Sequence, residues 1–229
     1  MEQLHNGYTL ELSEGAFPLS TDSIALADFV KLKPRASVLD LGAGCGTLGL
    51  LLCAKDSTCR ITGIEIDPFA HDMVLKNAAA NGLGNRLNSI CADLTSIHSL
   101  IKAGSFSCCI SNPPYFSGGP ESKTLSFARR DDLCSMEALI SGAAWGLKYG
   151  GDFFLVHRPE RLAEIFSISC KHKLEPKRLR LLRHNLSGPV SLVLIQCRKG
   201  ASPGLIWEEK ALYNSDNQPT EYYRRLYHL

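Results

Sequence analysis

Ser37-Val38-Leu39-Asp40-Leu41-Gly42-Ala43-Gly44-Cys45-Gly46 is an apolar run that ends in three closely spaced glycines, and a second apolar segment, residues 47–54, follows it. The pattern predicts a buried strand, a tight turn and a helix. Glycines in that turn would let a ligand lie against the backbone where the strand ends. Their Gly-x-Gly-x-Gly spacing differs from the Gly-x-Gly-x-x-Gly that receives a pyrophosphate, which disfavours NAD. Alone, the turn fits a ligand loop and a plain connection equally well.

A second strand is predicted at residues 60–64, and it ends on Glu65, 19 residues after Gly46. An acidic side chain at this strand end can accept hydrogen bonds from both hydroxyls of a ribose. The alternative is an ordinary exposed carboxylate. Asp67-Pro68 then supplies a cap and a first-turn proline for a helix over residues 69–81.

The next two predicted strands also end on polar side chains. Residues 87–91 are followed by Ala92-Asp93-Leu94, where Asp93 either accepts from the amine of a bound adenine or caps the next helix. Residues 107–111 lead into Asn112-Pro113-Pro114-Tyr115-Phe116. Two successive prolines cannot donate to a sheet, so the fourth strand stops there.

This Asn-Pro-Pro motif offers a specific chemistry. The Asn112 oxygen beside a rigid Pro-Pro backbone supplies two fixed acceptors for an NH2 group, and an aromatic ring after them can face a flat substrate. The motif therefore predicts a site that grips a planar exocyclic amine. A rigid loop after a strand is the alternative.

Four β-then-α units in register predict an α/β fold with a parallel sheet, right-handed crossovers and a site at the carboxyl ends of the strands. Before them, residues 7–12 predict a short strand and Ser20-Thr21-Asp22 caps a helix over residues 24–30. These elements form a lid-like N-terminal extension, residues 1–34, ahead of one domain, residues 35–229. The later part predicts a helix over 135–148, a break at Gly150-Gly151, a strand over 152–157, a helix over 159–171, and strands over 179–184 and 191–197.

Composition sets the class of protein. The chain has 229 residues, 45% of them hydrophobic, which is enough for one sizeable core. No apolar run approaches the roughly 18 residues that span a bilayer, and residues 1–6 lack a basic region before an apolar one. We expect no signal peptide, no membrane association and a cytoplasmic location. The nine cysteines form no Cys-x-x-Cys, so we expect buried thiols, no disulfide and no metal.

Basic charge is concentrated in one segment, although the net charge is only +2. Residues 151–200 contain 10 Lys and Arg against 4 Asp and Glu. A contiguous basic face suits a phosphate backbone, whereas a solvated surface explains many such runs. The phosphate-binding candidates are Lys177, Arg178, Arg180 and Arg183.

The glycine turn, Glu65, Asp93 and the Asn112-Pro113-Pro114-Tyr115-Phe116 motif together resemble class I methyltransferases that use S-adenosylmethionine (SAM). More narrowly, the chain resembles the bacterial family that N6-methylates the adenosine beside the anticodon of valine tRNA. This narrower resemblance rests on four short motifs, Ser20-Thr21-Asp22, Ala128-Arg129, Lys199-Gly200 and Thr220-Glu221.

The resemblance implies a seven-stranded Rossmann-like sheet with an antiparallel last strand and helices on both faces. It implies SAM as the cofactor, S-adenosylhomocysteine as its product, and tRNA as the substrate of a monomer or weak homodimer. It assigns catalysis to Asn112, Pro113, Pro114 and Tyr115. It places the cofactor against Asp40, Gly42, Gly44, Gly46, Glu65, Asp93, Leu94 and Asn112, and RNA against Phe116, Arg129, Arg130 and the four basic residues named above.

In that chemistry the methyl group passes from a sulfonium to an amine whose lone pair is delocalised into adenine. Hydrogen bonds from the amine protons to the Asn112 oxygen and the Pro113 carbonyl would favour a pyramidal nitrogen, so no base is needed before attack. Tyr115 or Phe116 would stack on the extruded base. Because a glutamine amide presents the same NH2 geometry, methylation of a release factor is one alternative. A non-catalytic SAM- or RNA-binding protein is the other.

Overall fold

The structure, a computed structural model, describes residues 2–4, 7–12, 19–115 and 135–229. Three of the predicted RNA contacts, Phe116, Arg129 and Arg130, lie outside these ranges. The described strands are β1 Glu2–Gln3, β2 Thr9–Leu10, β3 Ser37–Leu41, β4 Arg60–Glu65, β5 Leu87–Cys91, β6 Phe106–Ser111, β7 Leu147–His157, β8 Leu174–Asn185, β9 Val190–Lys199 and β10 Ile206–Tyr213.

Eight of these strands form one sheet in the order β10-β8-β9-β7-β6-β3-β4-β5. β9 is antiparallel to β7 and β8, whereas the remaining neighbours in this sheet pair in parallel. The central strands are buried almost throughout, as expected when both faces of a parallel sheet are covered. The predicted Rossmann-like, mostly parallel sheet is confirmed, and its antiparallel strand is β9, the last of the strands that the sequence predicted.

The predicted strand count of seven is wrong, because β10 adds an eighth strand beside β8. Ile206 and Trp207 are exposed, and only Ala211 and Leu212 are buried in β10. An edge strand has one neighbour and buries little, so its sequence carries no clear alternation of apolar and polar residues. This is why the sequence alone did not reveal it.

The start of β7 also differs from the prediction. The preceding helix ends at Gly146 and not at residue 148, and the strand begins at Leu147. Gly150 has a φ of +73° and the pairing register between β6 and β7 shifts at this point. The two glycines therefore form an irregularity inside a strand and not a break before it.

Helices cover both faces of the sheet, as predicted. They are α1 Thr21–Phe29, α2 Thr47–Lys55, α3 Pro68–Ala80, α4 Ile97–Leu100, α5 Met136–Gly146, α6 Leu162–Lys171 and α7 Glu221–Tyr227. One apolar cluster joins the sheet to α1, α2, α3 and α7, and a second cluster joins the opposite face to α4, α5 and α6.

The described part of the N-terminal segment packs on the body of the protein. The predicted strand over residues 7–12 is shorter, Thr9–Leu10, and it pairs with β1. Asn81 bonds the backbone of Thr9 through both its amide oxygen and its amide nitrogen, each at 2.8 Å. The predicted Ser20 cap of α1 is confirmed, since its hydroxyl accepts from the Ser23 amide. A domain boundary at residue 34 stays a prediction.

Three further features concern only the ranges that the structure describes. No helix there is both long and apolar enough to cross a bilayer. The eight cysteines there are free thiols, and no group of three or more His, Cys, Asp or Glu side chains forms a potential metal site.

Candidate active site

The glycine turn lies where β3 ends. Gly42, Gly44 and Gly46 have φ angles of +73°, +54° and +85°, a region that favours glycine. A Cβ atom added at Gly42 or Gly44 would meet no atom within 4 Å, so the outer side of the turn is open. By contrast, a Cβ at Gly46 would approach Val74 of α3 to 3.3 Å. The first two glycines therefore face a space for a ligand, and the third permits close helix packing.

Glu65 at the end of β4 holds this turn in place. One carboxylate oxygen accepts from the Gly44 amide at 2.7 Å, and the other accepts from the Asp67 amide at 3.0 Å. Each oxygen keeps a further lone pair. The carboxylate therefore links the turn to β4 and still has acceptor capacity for a ligand.

Asp40 lies beneath the same turn and is 1% exposed. Its Oδ1 is buried and has no hydrogen-bond partner among the described residues. Burial, and secondly the negative charge of Glu65, raise the pKa of Asp40 to about 8. At pH 7 the carboxyl is therefore mostly protonated, and its unsatisfied oxygen is a feature that a bound polar group would explain.

The Asn-Pro-Pro-Tyr loop begins beside the glycine turn. Ser111, the last residue of β6, donates to the Leu41 carbonyl at 2.7 Å, which fixes the ends of β6 and β3 together. Asn112 Nδ2 donates to Ser23 Oγ of α1 at 3.0 Å. Tyr115 donates its hydroxyl proton to Asn112 Oδ1 at 2.7 Å. Together these bonds set both the position of the carboxamide and the orientation of its oxygen.

Comparison with known proteins identifies the class to which this arrangement belongs. A family model described as "Methyltransferase small domain" matches residues 19–167, well over half of the chain. The chain belongs to the methyltransferase small domain family. It is a SAM-dependent methyltransferase, so the predicted enzyme class and the predicted cofactor are confirmed.

Curated relatives narrow the comparison. A tRNA1(Val) (adenine(37)-N6)-methyltransferase of Shewanella halifaxensis is 33% identical over 71% of this chain and 66% of its own length. The protein of the same name from Porphyromonas gingivalis is 30% identical over 73% of this chain and 69% of its own. That from Actinobacillus pleuropneumoniae is 26% identical over 92% and 89%.

Solved structures agree on the fold. A predicted O-methyltransferase from Agrobacterium tumefaciens has a TM-score of 0.76 at 19% identity, covering 91% of this chain and 96% of that chain. Geranyl diphosphate C-methyltransferase from Streptomyces coelicolor, in a complex with S-adenosyl-L-homocysteine, has a TM-score of 0.59 at 12% identity, covering 77% and 76%.

Asp93 and Leu94 lie at the end of β5 in this methyltransferase fold. Asp93 accepts from the Thr95 amide at 2.8 Å and caps a short helical turn that begins at Leu94. Of the two predictions for Asp93, the helix cap is therefore observed. The second carboxylate oxygen keeps its acceptor capacity, so a contact with the adenine of the cofactor stays a prediction.

Tyr115 has several protein neighbours in addition to Asn112. Its ring meets the His157 ring edge-on, with centroids 5.2 Å apart, and the Arg158 guanidinium lies 5.3 Å from the ring centroid. Burial, and secondly the negative charge of Asp22, raise the pKa of Tyr115 far above its ordinary value. These contacts support a role in positioning Asn112. Base stacking by Tyr115 stays a prediction, and Phe116 lies outside the described residues.

The four basic residues predicted to bind phosphate differ in their burial and in their partners within the protein. Arg180 is 6% exposed and pairs with Asp28 at 2.7 Å and Glu208 at 2.8 Å. Arg178 donates to Gln196 Oε1 at 3.1 Å, and Arg183 pairs with Glu209 at 3.3 Å. Lys177 donates to the Ser202 carbonyl at 3.0 Å. The interior position of Arg180 suits a structural ion pair better than a phosphate contact.

Sequence reasoning missed several residues of this site. Ser23 and Asp22 belong to α1, and Ser23 lies 89 positions before the Asn112 that it contacts. His157 and Arg158 follow from β7, and they frame Tyr115. The sequence shows that β7 ends here but not that this end faces the Asn-Pro-Pro-Tyr loop. Of these four residues, only Asp22 belongs to a motif that the sequence analysis singled out, Ser20-Thr21-Asp22.

Proposed function

We propose that this methyltransferase transfers a methyl group from SAM to the exocyclic N6 amine of an adenosine in tRNA. The proposed position is the one in the names of its relatives from Shewanella halifaxensis and Porphyromonas gingivalis, adenine 37 of a valine tRNA. The observation that carries the proposal is the Asn112 carboxamide, fixed by Ser23 and Tyr115 beside the glycine turn. Such a fixed acceptor suits a flat NH2 group.

The site residues fit SAM. The open side of Gly42 and Gly44, the unsatisfied Asp40 oxygen and the remaining acceptors of Glu65 lie around one turn. When bound, SAM supplies an electrophilic methyl group on a sulfonium. The residues that would hold it are Asp40, Gly42, Gly44, Gly46, Glu65, Asp93, Leu94 and Asn112.

The proposed role of Asn112 follows from its hydrogen bonds. The Tyr115 hydroxyl occupies one acceptor position of Oδ1, which leaves a second lone pair for a proton of the substrate amine. The Pro113 carbonyl would accept from the other proton. Two such bonds favour a pyramidal nitrogen, and because both acceptors are held in advance, no reorganisation is needed during methyl transfer.

Substrate identity is tested by the nucleosides of total tRNA from a strain that lacks the gene. We expect N6-methyladenosine in valine tRNA to disappear and to return with the parent gene but not with Asn112→Ala. Release-factor glutamine should be unaffected. Unchanged tRNA nucleosides together with loss of glutamine methylation would instead support the protein substrate.

A further inference from the structure

Four aromatic rings form a continuous row near the active site. In order they are His184 of β8, Tyr213 of β10, and Tyr223 and Tyr227 of α7. Successive ring centroids are 4.8, 5.1 and 4.5 Å apart, with interplanar angles of 40°, 42° and 29°. Spacings and angles of this size are those of offset and tilted aromatic pairs.

A cap at the start of α7 helps to fix this aromatic row. Thr220 caps the helix by accepting from the Tyr223 amide at 3.2 Å, and its hydroxyl donates to the Ala211 carbonyl of β10 at 2.7 Å. Thr220 belongs to one of the short motifs that carried the resemblance. The cap therefore aligns the tyrosines of α7 with the tyrosine at the end of β10.

The aromatic row reaches the first turn of α1. Tyr227 and Thr21 share a hydrogen bond of 2.7 Å between their hydroxyl oxygens. Ser23, which contacts Asn112, is two residues further along α1, or about 3 Å of helix rise. His184 and Tyr213 lie at the carboxyl ends of their strands, which is also the end of the sheet where Asn112 lies. The row thus extends outward from the Asn112 site.

The far end of the aromatic row is open to solvent. His184 is exposed and the three tyrosines are half-buried. Leu186, in the turn after β8, is 67% exposed. Arg224 on α7 is exposed, and it makes no ion pair with any residue that the structure describes. The three tyrosines pack against the apolar cluster that joins α7 to the sheet, whereas His184, the exposed ring at the end of the row, can receive another flat group.

We propose that this aromatic row is a stacking surface for an unpaired nucleobase in the loop that carries the target adenosine. The inference rests on the proposed function, because such a base is present only if the substrate is a nucleic acid. Bases in single-stranded loops stack readily on aromatic side chains. The base continues the row at His184, and Arg224 lies on the same helix as two of the rings and can neutralise a phosphate.

The test compares binding of an unmodified valine tRNA transcript by the parent, His184→Ala and His184→Trp across a salt series. We expect His184→Ala to weaken binding by roughly 5-fold or more, the lower end for loss of one base–aromatic stack. His184→Trp should bind at least as well as the parent. The slope of log affinity against log salt should not change for either, whereas Arg224→Ala should make it shallower by just under one.

Tyr149→Leu is the matched control. Tyr149 is an exposed aromatic residue, 70% accessible, near the amino end of β7, which is the end of the sheet away from Asn112. SAM affinity and the unfolding midpoint of each variant show that the fold is intact. Equal affinity of parent and His184→Ala, or equal losses in His184→Ala and His184→Trp, would overturn the stacking surface alone. A parent that neither binds nor methylates the transcript would overturn the proposed function as well.

Discussion

Asn112 receives a hydrogen bond on its oxygen and donates one from its nitrogen, so its amide cannot rotate without losing both. If the oxygen acts chiefly on the transition state, Asn112→Ala should lower the single-turnover rate by about 100-fold or more, as for removal of one preorganised polar contact. SAM affinity should change much less. Single-turnover methylation at saturating SAM measures this, and a near-normal rate would show that the loop is only structural.

Ser23 and Tyr115 should act on the rate through Asn112. Ser23→Ala and Tyr115→Phe each remove one hydrogen bond to the carboxamide, and each should lower the turnover by about 5- to 10-fold, the worth of one such bond. The ring contacts of Tyr115 are kept in the phenylalanine variant. Ser99→Ala, at an exposed serine whose hydroxyl donates to the Ser96 carbonyl, is the control for Ser23. If Ser23→Ala and Tyr115→Phe turn over as fast as Ser99→Ala and the parent, then neither Ser23 nor Tyr115 positions Asn112.

Asp40 gives the folded protein a specific pH dependence. Its pKa rises from 3.8 to about 8 on folding, so between these values the folded chain binds a proton that the unfolded chain has released. Stability must then fall as the pH rises through this range, by up to about 1.4 kcal/mol per pH unit. Asp40→Asn should remove that slope. Urea unfolding of both proteins at pH 5, 6, 7 and 8 measures it, and parallel curves would refute the assignment.

Element boundaries show how far sequence reasoning reached. The β3 strand, the glycine turn and α2 were predicted closely, because an apolar run and glycines of positive φ leave few alternatives. The Asp67 cap and Pro68 likewise located the start of α3. β10 was missed because an edge strand lacks alternation. Contacts between elements, such as that of His157 at the end of β7 with Tyr115 of the Asn-Pro-Pro-Tyr loop, have no local signal.

Arg180 of β8 links four elements, since it bonds Asp28 of α1, Glu208 of β10 and, at 3.1 Å, the hydroxyl of Tyr222 of α7. Arg180→Met removes a buried cation and its three hydrogen bonds, although Arg225 remains 3.2 Å from Asp28 and Lys210 remains 3.6 Å from Glu208. It should therefore lower the free energy of unfolding by about 1–3 kcal/mol. Lys177→Met, on the same strand and less buried, is the control. A stable Arg180→Met protein with weak tRNA binding would restore the phosphate-contact prediction.

Across the whole molecule, the excess of Lys and Arg in residues 151–200 is a poorer guide to a phosphate-binding face than the charge count suggested. Several of the segment's cations form ion pairs within the protein: Arg161 pairs with Glu164, Lys171 with Glu137, and Arg180 with Asp28 and Glu208. A charge count over the segment misses most of these pairs, because Glu137, Asp28 and Glu208 lie outside it. The proposed RNA surface accordingly combines fewer cations, among them Arg224, with the aromatic row.

The central claim is that the Asn112 site methylates the N6 amine of one adenosine in tRNA. The most direct measurement is mass spectrometry of a purified valine tRNA transcript after incubation with the protein and SAM that carries a trideuterated methyl group. We expect one labelled N6-methyladenosine beside the anticodon, none with guanosine at that position, and labelling slower by about 100-fold or more with Asn112→Ala. Label on another nucleoside, labelling by Asn112→Ala at the parent rate, or label only on a release-factor glutamine would contradict the account.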